Sequence, residues 1–189
     1  NSDGKNLPLI INPHGGPASR DVWGYNPEHQ FFASRGYAVL SMNFRGSTGY
    51  GRSHVKMANG QWGRKMQDDV TDSVNWAVDQ GIADKDNVCI YGASYGGYAV
   101  MAGITKTPKM YKCAVNYVGV TDMGLLFSKM PKVWEIWEEQ QKIEIGDYDN
   151  DKDYLDAVSP INLVDRIETP LYIVPVSYTH LTLPTKPKV

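Results

Sequence analysis

Tyr91-Gly92-Ala93-Ser94-Tyr95-Gly96-Gly97-Tyr98 decides how this chain is read. The residues before it, Val88-Cys89-Ile90, are continuously apolar, as a buried strand is. The residues after it, 95–106, read as a helix that halts before Pro108. Between the two, Gly92 and Gly96 flank Ser94 at equal spacing. A strand that turns at once into a helix brings those two positions so close that a Cβ would collide there. The residue between them is thrown out above the sheet. Ser94 is therefore the residue on which function is expected to turn.

Outward from this elbow, the chain alternates strands and helices. Apolar runs at 7–12, 37–44, 113–118 and 171–176 predict four more strands. Residues 27–35 predict a short helix with Gly36 past its end. Residues 62–80 predict the clearest helix: Trp62, Met66, Val70, Val74, Ala77 and Val78 recur at steps of three and four, and Gly81 stops it. Asp68, Asp69 and Asp72 read as its solvated face, with Asp69 close to the apolar stripe. Residues 123–145 are less regular. There Val133, Trp134 and Trp137 oppose Glu135, Glu138 and Glu139, which predicts a short amphipathic helix. The acidic stretch 147–156 reads as a loop leading into a helical turn. Continuously apolar strands separated by helices give the α/β class, with a mostly parallel sheet covered by helices on both faces. Such sheets place reactive groups at the carboxyl ends of the strands. The glycine-rich turns at 14–17, 45–51 and 92–97 all follow strands, so they are expected to meet on one edge.

Composition narrows the function classes. The chain has 189 residues, 42% of them hydrophobic, which suits one domain with a proper core. The formal net charge is −2, and no basic block points to nucleic acid. The apolar runs are strand-sized, too short to span a membrane. The four histidines (His14, His29, His54, His180) lie far apart, and no spacing suggests a metal site. Cys89 and Cys113 fall in apolar runs and are expected to be two buried free thiols rather than a disulfide or redox pair.

The chemistry expected around Ser94 follows from its position. The Tyr95 amide stands at a helix N-terminus, where unpaired N–H groups favour negative charge. An oxyanion formed on a carbonyl attacked by Ser94 would sit there. The turn His14-Gly15-Gly16-Pro17 is placed to lend a second amide, that of Gly16. His14 itself precedes the serine, against the Ser…Asp…His order of such sites, and is not expected to be a base. Arg45-Gly46-Ser47-Thr48-Gly49-Tyr50-Gly51 lacks the Gly-Lys-Ser/Thr ending of a phosphate loop. It reads as a turn whose arginine ties neighbouring loops together.

Four motifs stand in order: His14-Gly15-Gly16-Pro17, Asn43-Phe44-Arg45-Gly46-Ser47-Thr48-Gly49-Tyr50-Gly51, Gly92-Ala93-Ser94-Tyr95-Gly96-Gly97-Tyr98, and Ser159-Pro160-Ile161-Asn162 through Pro170-Leu171. Together, over residues 7–174, they resemble the catalytic domain of the prolyl oligopeptidase family of serine peptidases. The acylaminoacyl-peptidase-like and dipeptidyl-peptidase-like branches are most similar. The resemblance implies an α/β-hydrolase fold, without cofactor or metal, that hydrolyses peptide bonds of short peptides through an acyl-enzyme. It implies Ser94 as nucleophile, the amides of Tyr95 and Gly16 as oxyanion hole, and Tyr95, Val120, Met123 and Leu126 as substrate-binding residues. It also implies an N-terminal β-propeller in the full-length protein.

The pattern then breaks. A family member continues from its fifth strand into a His-Gly turn, with the triad aspartate and later the triad histidine beyond it. Here the strand runs on as Pro175-Val176-Ser177-Tyr178-Thr179-His180, no Asp or Glu follows Glu168, and His180 is the only histidine after Ser94. The expectation is a partial catalytic domain at 1–174, its sheet incomplete at the C-terminus, lacking triad Asp and His and close to inactive. A non-native or disordered tail is expected at 175–189, since Ser177 to Thr185 resembles a translated sequencing adapter. With Asn1 rather than Met first, the true start is expected to be missing. Two other readings stay open: a carboxylesterase on the same fold, and a non-catalytic binding domain that keeps the elbow as scaffold.

Overall fold

Five apolar runs form strands in a computed structural model of the chain, which describes residues 3–130 and 132–175. They are β1 (Leu7–Ile11), β2 (Ala38–Leu40), β3 (Ala83–Ala93), β4 (Cys113–Tyr117) and β5 (Leu171–Val174). They lie in the order β2-β1-β3-β4-β5, and every neighbouring pair is parallel. Strand β3 begins five residues earlier than its apolar run, because Leu7 pairs with Ala83 before the register shifts and Leu9 pairs with Val88. The intervening 84–87 are polar and largely exposed. Strand β2 is shorter than its run, since only three residues find partners on β1. Of the expected tail at 175–189, all but Pro175 lies outside the described residues.

The helices are α1 (Pro27–Ala33), α2 (Arg52–Lys56), α3 (Lys65–Asp79), α4 (Tyr95–Lys106), α5 (Met123–Ser128), α6 (Glu138–Glu144) and α7 (Lys152–Val158). Three-residue-per-turn segments add Lys132–Trp137 and Pro160–Arg166. Helix α1 starts where Asn26 caps it, its Oδ1 accepting from the amides of Glu28 at 2.9 Å and His29 at 3.1 Å. The amphipathic stretch expected near Trp134 is split: Lys132–Trp137 is a tighter turn and only Glu138–Glu144 is α-helix. Val133, Trp134 and Trp137 stay substantially exposed rather than forming a buried stripe.

One core cluster lies on one face of the sheet. Val70, Val74 and Ala77 of α3 and Val100, Met101 and Ile104 of α4 pack on Leu9, Ile11, Val88, Ile90 and Ala114. Side chains alternate along a strand, so Tyr91 points to the other face. There Phe32 of α1 meets the Tyr91 ring edge-on, centroids 5.9 Å apart. The Tyr91 hydroxyl donates to Glu28 at 2.5 Å. Burial, then this bond, push the Tyr91 phenol up to about 12.

Two expectations are corrected here. Cys89 and Cys113 are joined in a disulfide rather than standing as free thiols. Their sequence separation of 24 hides that β3 and β4 are neighbours with Cys89 opposite Cys113, Cα atoms 4.7 Å apart. Asp69 is not part of a solvated face. It accepts from the Arg45 backbone amide at 2.9 Å, Nε at 2.8 Å and Nη2 at 2.6 Å, so the loop after β2 is pinned to α3. The Asp69 carboxylate, chiefly through that side-chain hydrogen bond, raises the Arg45 pKa. Asp68 and Asp72 are exposed, as expected. Asp69→Ala leaves a half-buried guanidinium unpaired. It is expected to lower stability by about 1–3 kcal/mol, read from urea unfolding. No change in the midpoint would remove the loop-pinning role.

Candidate active site

The elbow between β3 and α4 holds Ser94 at φ 56, ψ −120, on the left-handed side that side chains avoid. Two bonds over-determine that backbone: Ser94 N–H donates to Tyr117 O and Tyr98 N–H to Ser94 O, both at 3.0 Å. The glycines are there because the chain comes too close for anything else. A Cβ on Gly92 would lie 2.5 Å from the Gly96 carbonyl, and one on Gly96 would run into Pro13 O. Ser94 itself stands exposed at the top of the turn.

The three glycine-rich turns meet at this edge. A Cβ on Gly15 would sit 3.4 Å from Ser94 Cβ, which shows how close the turn after β1 lies to the serine. His14 fixes that turn to the one after β2: its Nε2 pairs with Ser47 Oγ at 2.8 Å, and its ring stacks on Phe44 at 4.3 Å. Its Nδ1 pairs with Gly15 O at 2.7 Å, so both ring nitrogens are taken and neither is bonded to Ser94. Gly16 adopts φ +124, a conformation only glycine holds comfortably. Among the described residues, neither the Gly16 nor the Tyr95 amide has a hydrogen-bond acceptor within the protein.

A cleft of about 460 Å³ opens beside Ser94. It is lined by Gly16 and Pro17, by Tyr95, Val120 and Leu126, and by Trp134, Trp137 and Glu144 among others. Tyr95 is buried under it in an aromatic cluster: Trp62 lies edge-on at 4.6 Å and Phe44 at 5.2 Å. Burial pushes the Tyr95 phenol far above its ordinary value, so it is neutral at physiological pH and serves as a wall rather than a base. Met123 does not line the cleft; it is wholly buried behind Tyr95 and Val120.

The motif at 159–162 earns its place by holding this wall. Ser159 Oγ accepts from Met123 N–H at 3.0 Å, and Ile161 N–H donates to Thr121 O at 2.9 Å. Two residues before Val120, Val118 stands at φ 51, a strained angle for a β-branched residue, held by a 2.9 Å bond from its amide to Val174 O. The expected site residues Ser94, Tyr95, Gly16, Val120 and Leu126 thus surround one cleft. Trp62, Trp134, Trp137 and Glu144 join them unforeseen. The aromatic pair was visible in the sequence as a stripe, but nothing in its spacing says that the stripe faces Ser94. A larger cleft of about 770 Å³, lined by Asp122, Phe127 and Tyr148 among others, does not include the serine. The described residues hold no group of carboxylates, histidines and cysteines suited to a metal.

A parallel sheet with helices on its core face, interrupted by a serine on a strained strand-to-helix turn, defines an α/β-hydrolase domain. Residues 23–178 match the model of the prolyl oligopeptidase family, and the chain belongs to that family. It is 46% identical to a dipeptidyl aminopeptidase of Pseudoxanthomonas mexicana over 178 residues, which are 92% of this chain and 26% of that protein. It is 37% identical to dipeptidyl peptidase family member 6 of Caenorhabditis elegans, across 88% of this chain and 23% of the relative. Among solved structures, a puromycin-hydrolyzing peptidase of Mycobacterium tuberculosis superimposes with a TM-score of 0.84 at 30% identity, over 91% of this chain and 26% of that one. The chain spans about a quarter of the length of the relatives it matches.

Proposed function

We propose that residues 1–174 are the catalytic domain of a serine peptidase that hydrolyses peptide bonds of short peptides through an acyl-enzyme on Ser94. The observation that carries this reading is an exposed serine at positive φ beside two unpartnered amides, Tyr95 and Gly16, at the mouth of one cleft. The serine Oγ attacks a peptide carbonyl. The two amides, with the N-terminus of α4 behind them, accept the negative charge that develops on its oxygen. Tyr95, Val120 and Leu126, with Met123 packed behind, hold the adjoining substrate side chain by apolar contact. The dipeptidyl peptidases among the relatives support peptides as the substrate class.

Nothing among the described residues takes the proton from Ser94. Its Oγ has no hydrogen-bond partner among the described residues, and His14 is engaged elsewhere. The reading therefore includes a triad Asp and His supplied by sequence other than these residues, and a β-propeller in the whole protein. Prolonged exposure to a peptidyl phosphonate, then mass spectrometry of the digested protein, is expected to place the adduct on Ser94. Adducts on other serines with none on Ser94 would overturn the assignment.

A further inference from the structure

The only two cysteines of the chain close a covalent ring around the elbow. Cys89 precedes Ser94 on β3 and Cys113 opens β4, so the cross-link encloses the end of β3, the strained turn and the whole of α4. Every residue of α4 from Tyr95 to Thr105 is buried. The sheet does not need the bond for its register. From Cys89 opposite Cys113 to Ala93 opposite Tyr117 the two strands pair without a break. The Cα separation of 4.7 Å at the cysteines is that of an ordinary ladder. The pair is also open to attack. Side chains alternate along a strand, so Cys89 and Cys113 share the face of Tyr91, Val115 and Tyr117, opposite to α3 and α4. Both cysteines are only partly buried. On the same face Tyr117 is 44% exposed, and Tyr172, the partner of Val115 on β5, is 67% exposed.

A bond that the ladder makes redundant and that solvent reaches is suited to be reversible. We propose that Cys89–Cys113 is a thiol–disulfide exchange site whose state sets how tightly the Ser94 elbow is held. The thiolate of a dithiol attacks one cysteine sulfur, forming a mixed disulfide and releasing the other cysteine as a thiolate. The second thiol of the dithiol then displaces the remaining protein sulfur. The dithiol leaves as a cyclic disulfide, and its two electrons and two protons end on the thiols of Cys89 and Cys113. The ladder keeps those thiols side by side, so an external disulfide can close the bond again. What reduction changes is the open state. The ring limits the conformations that the turn and α4 gain when they come away from the sheet, and cutting it lets them gain more. Leaving the turn also relieves the left-handed backbone of Ser94, so this segment is the one poised to open. The elbow is therefore tight where thiols are oxidised and looser where dithiols are maintained. The switch does not depend on Ser94 being a peptidase nucleophile.

Hydrogen exchange tests it without turnover. The 189-residue chain is compared at neutral pH with and without excess dithiothreitol, and a separate sample is alkylated with iodoacetamide under non-denaturing conditions. The reduced chain is expected to show two alkylated cysteines and to keep its far-ultraviolet circular dichroism spectrum. Amides of α4 are expected to exchange about 100-fold faster after reduction. Those of α7, which lies outside the ring, are expected to change less than about three-fold. Oxidised glutathione is expected to restore the slow exchange. Thiols that alkylate only in denaturant, loss of the fold on reduction, or equal α4 exchange in the two forms would each overturn the proposal. So would equal acceleration of α4 and α7, or fast exchange that persists after reoxidation. None of these outcomes moves the adduct expected on Ser94, and a missing adduct leaves the exchange result standing, so the two readings fail separately.

Discussion

Gly97→Ala is expected to lower the stability of this domain by about 3 kcal/mol or more, near the upper end of what a single added methyl does. The reason is specific. The new Cβ would lie 2.6 Å from Asn116 Oδ1 and 2.7 Å from Gly119 Cα. Neither can retreat cheaply: Asn116 is buried in β4, and its Oδ1 already accepts from Gly119 N–H at 2.8 Å. Relief therefore requires α4 to lift from the sheet or the loop after β4 to move, and that loop carries Val120 of the cleft wall. For a domain of this size the melting temperature is expected to fall by about 6–12 °C. Gly24→Ala is the matched control, since a Cβ there meets nothing within 4 Å. It is expected to stay within about 0.5 kcal/mol of the parent. If the two variants unfold at the same urea concentration, the close approach of α4 to the β4 loop is not what fixes glycine at 97.

The second large effect is kinetic. At neutral pH a fluorophosphonate is expected to label Ser94 in this 189-residue chain at least about 1,000-fold more slowly than it labels a family member with a complete triad. A serine hydroxyl is a weak nucleophile until a base takes its proton. Among the described residues the candidates beside Ser94 do not qualify: His14 has both nitrogens bonded to Ser47 and Gly15, and Tyr95 is a buried neutral phenol. What remains is the strained presentation of Oγ and the two free amides, which help without activating. The pH profile carries the sharper signature. With a histidine base the rate levels off above the imidazole pKa, near 6.5, whereas without one it is expected to keep climbing through pH 9. A plateau near neutrality, or a rate within ten-fold of the intact relative, would show that a base reaches Ser94 after all.

Much of this was legible in the residues. Gly92-x-Ser94-x-Gly96 fixes its own conformation locally, because the collisions that exclude a Cβ arise within the turn and with the strand end beside it. The helix that follows is stated by its period and stopped before Pro108. Continuous apolarity in Val88-Cys89-Ile90 and Leu7 to Ile11 announced parallel strands, and parallel strands bring their following turns to one edge. The His14 turn thus landed beside Ser94 as expected. Less legible was whatever depended on which strand lies next to which. Cys89 and Cys113 looked like unrelated buried thiols until β3 and β4 became neighbours in register. Asp69 looked like one more acid on a wet helix face until the loop after β2 brought Arg45 across it.

The sequence by itself determined the α/β alternation, the elbow and the serine at its tip, because each rests on sterics and periodicity within a few residues. Only the tertiary structure decided what surrounds that serine. Met123 withdrew into the core, Trp134, Trp137 and Glu144 came to line the cleft beside Ser94, and two cysteines met across adjacent strands. Each of those outcomes depends on segments tens of residues apart settling against the same face, and contact of that range leaves no period in the chain to read.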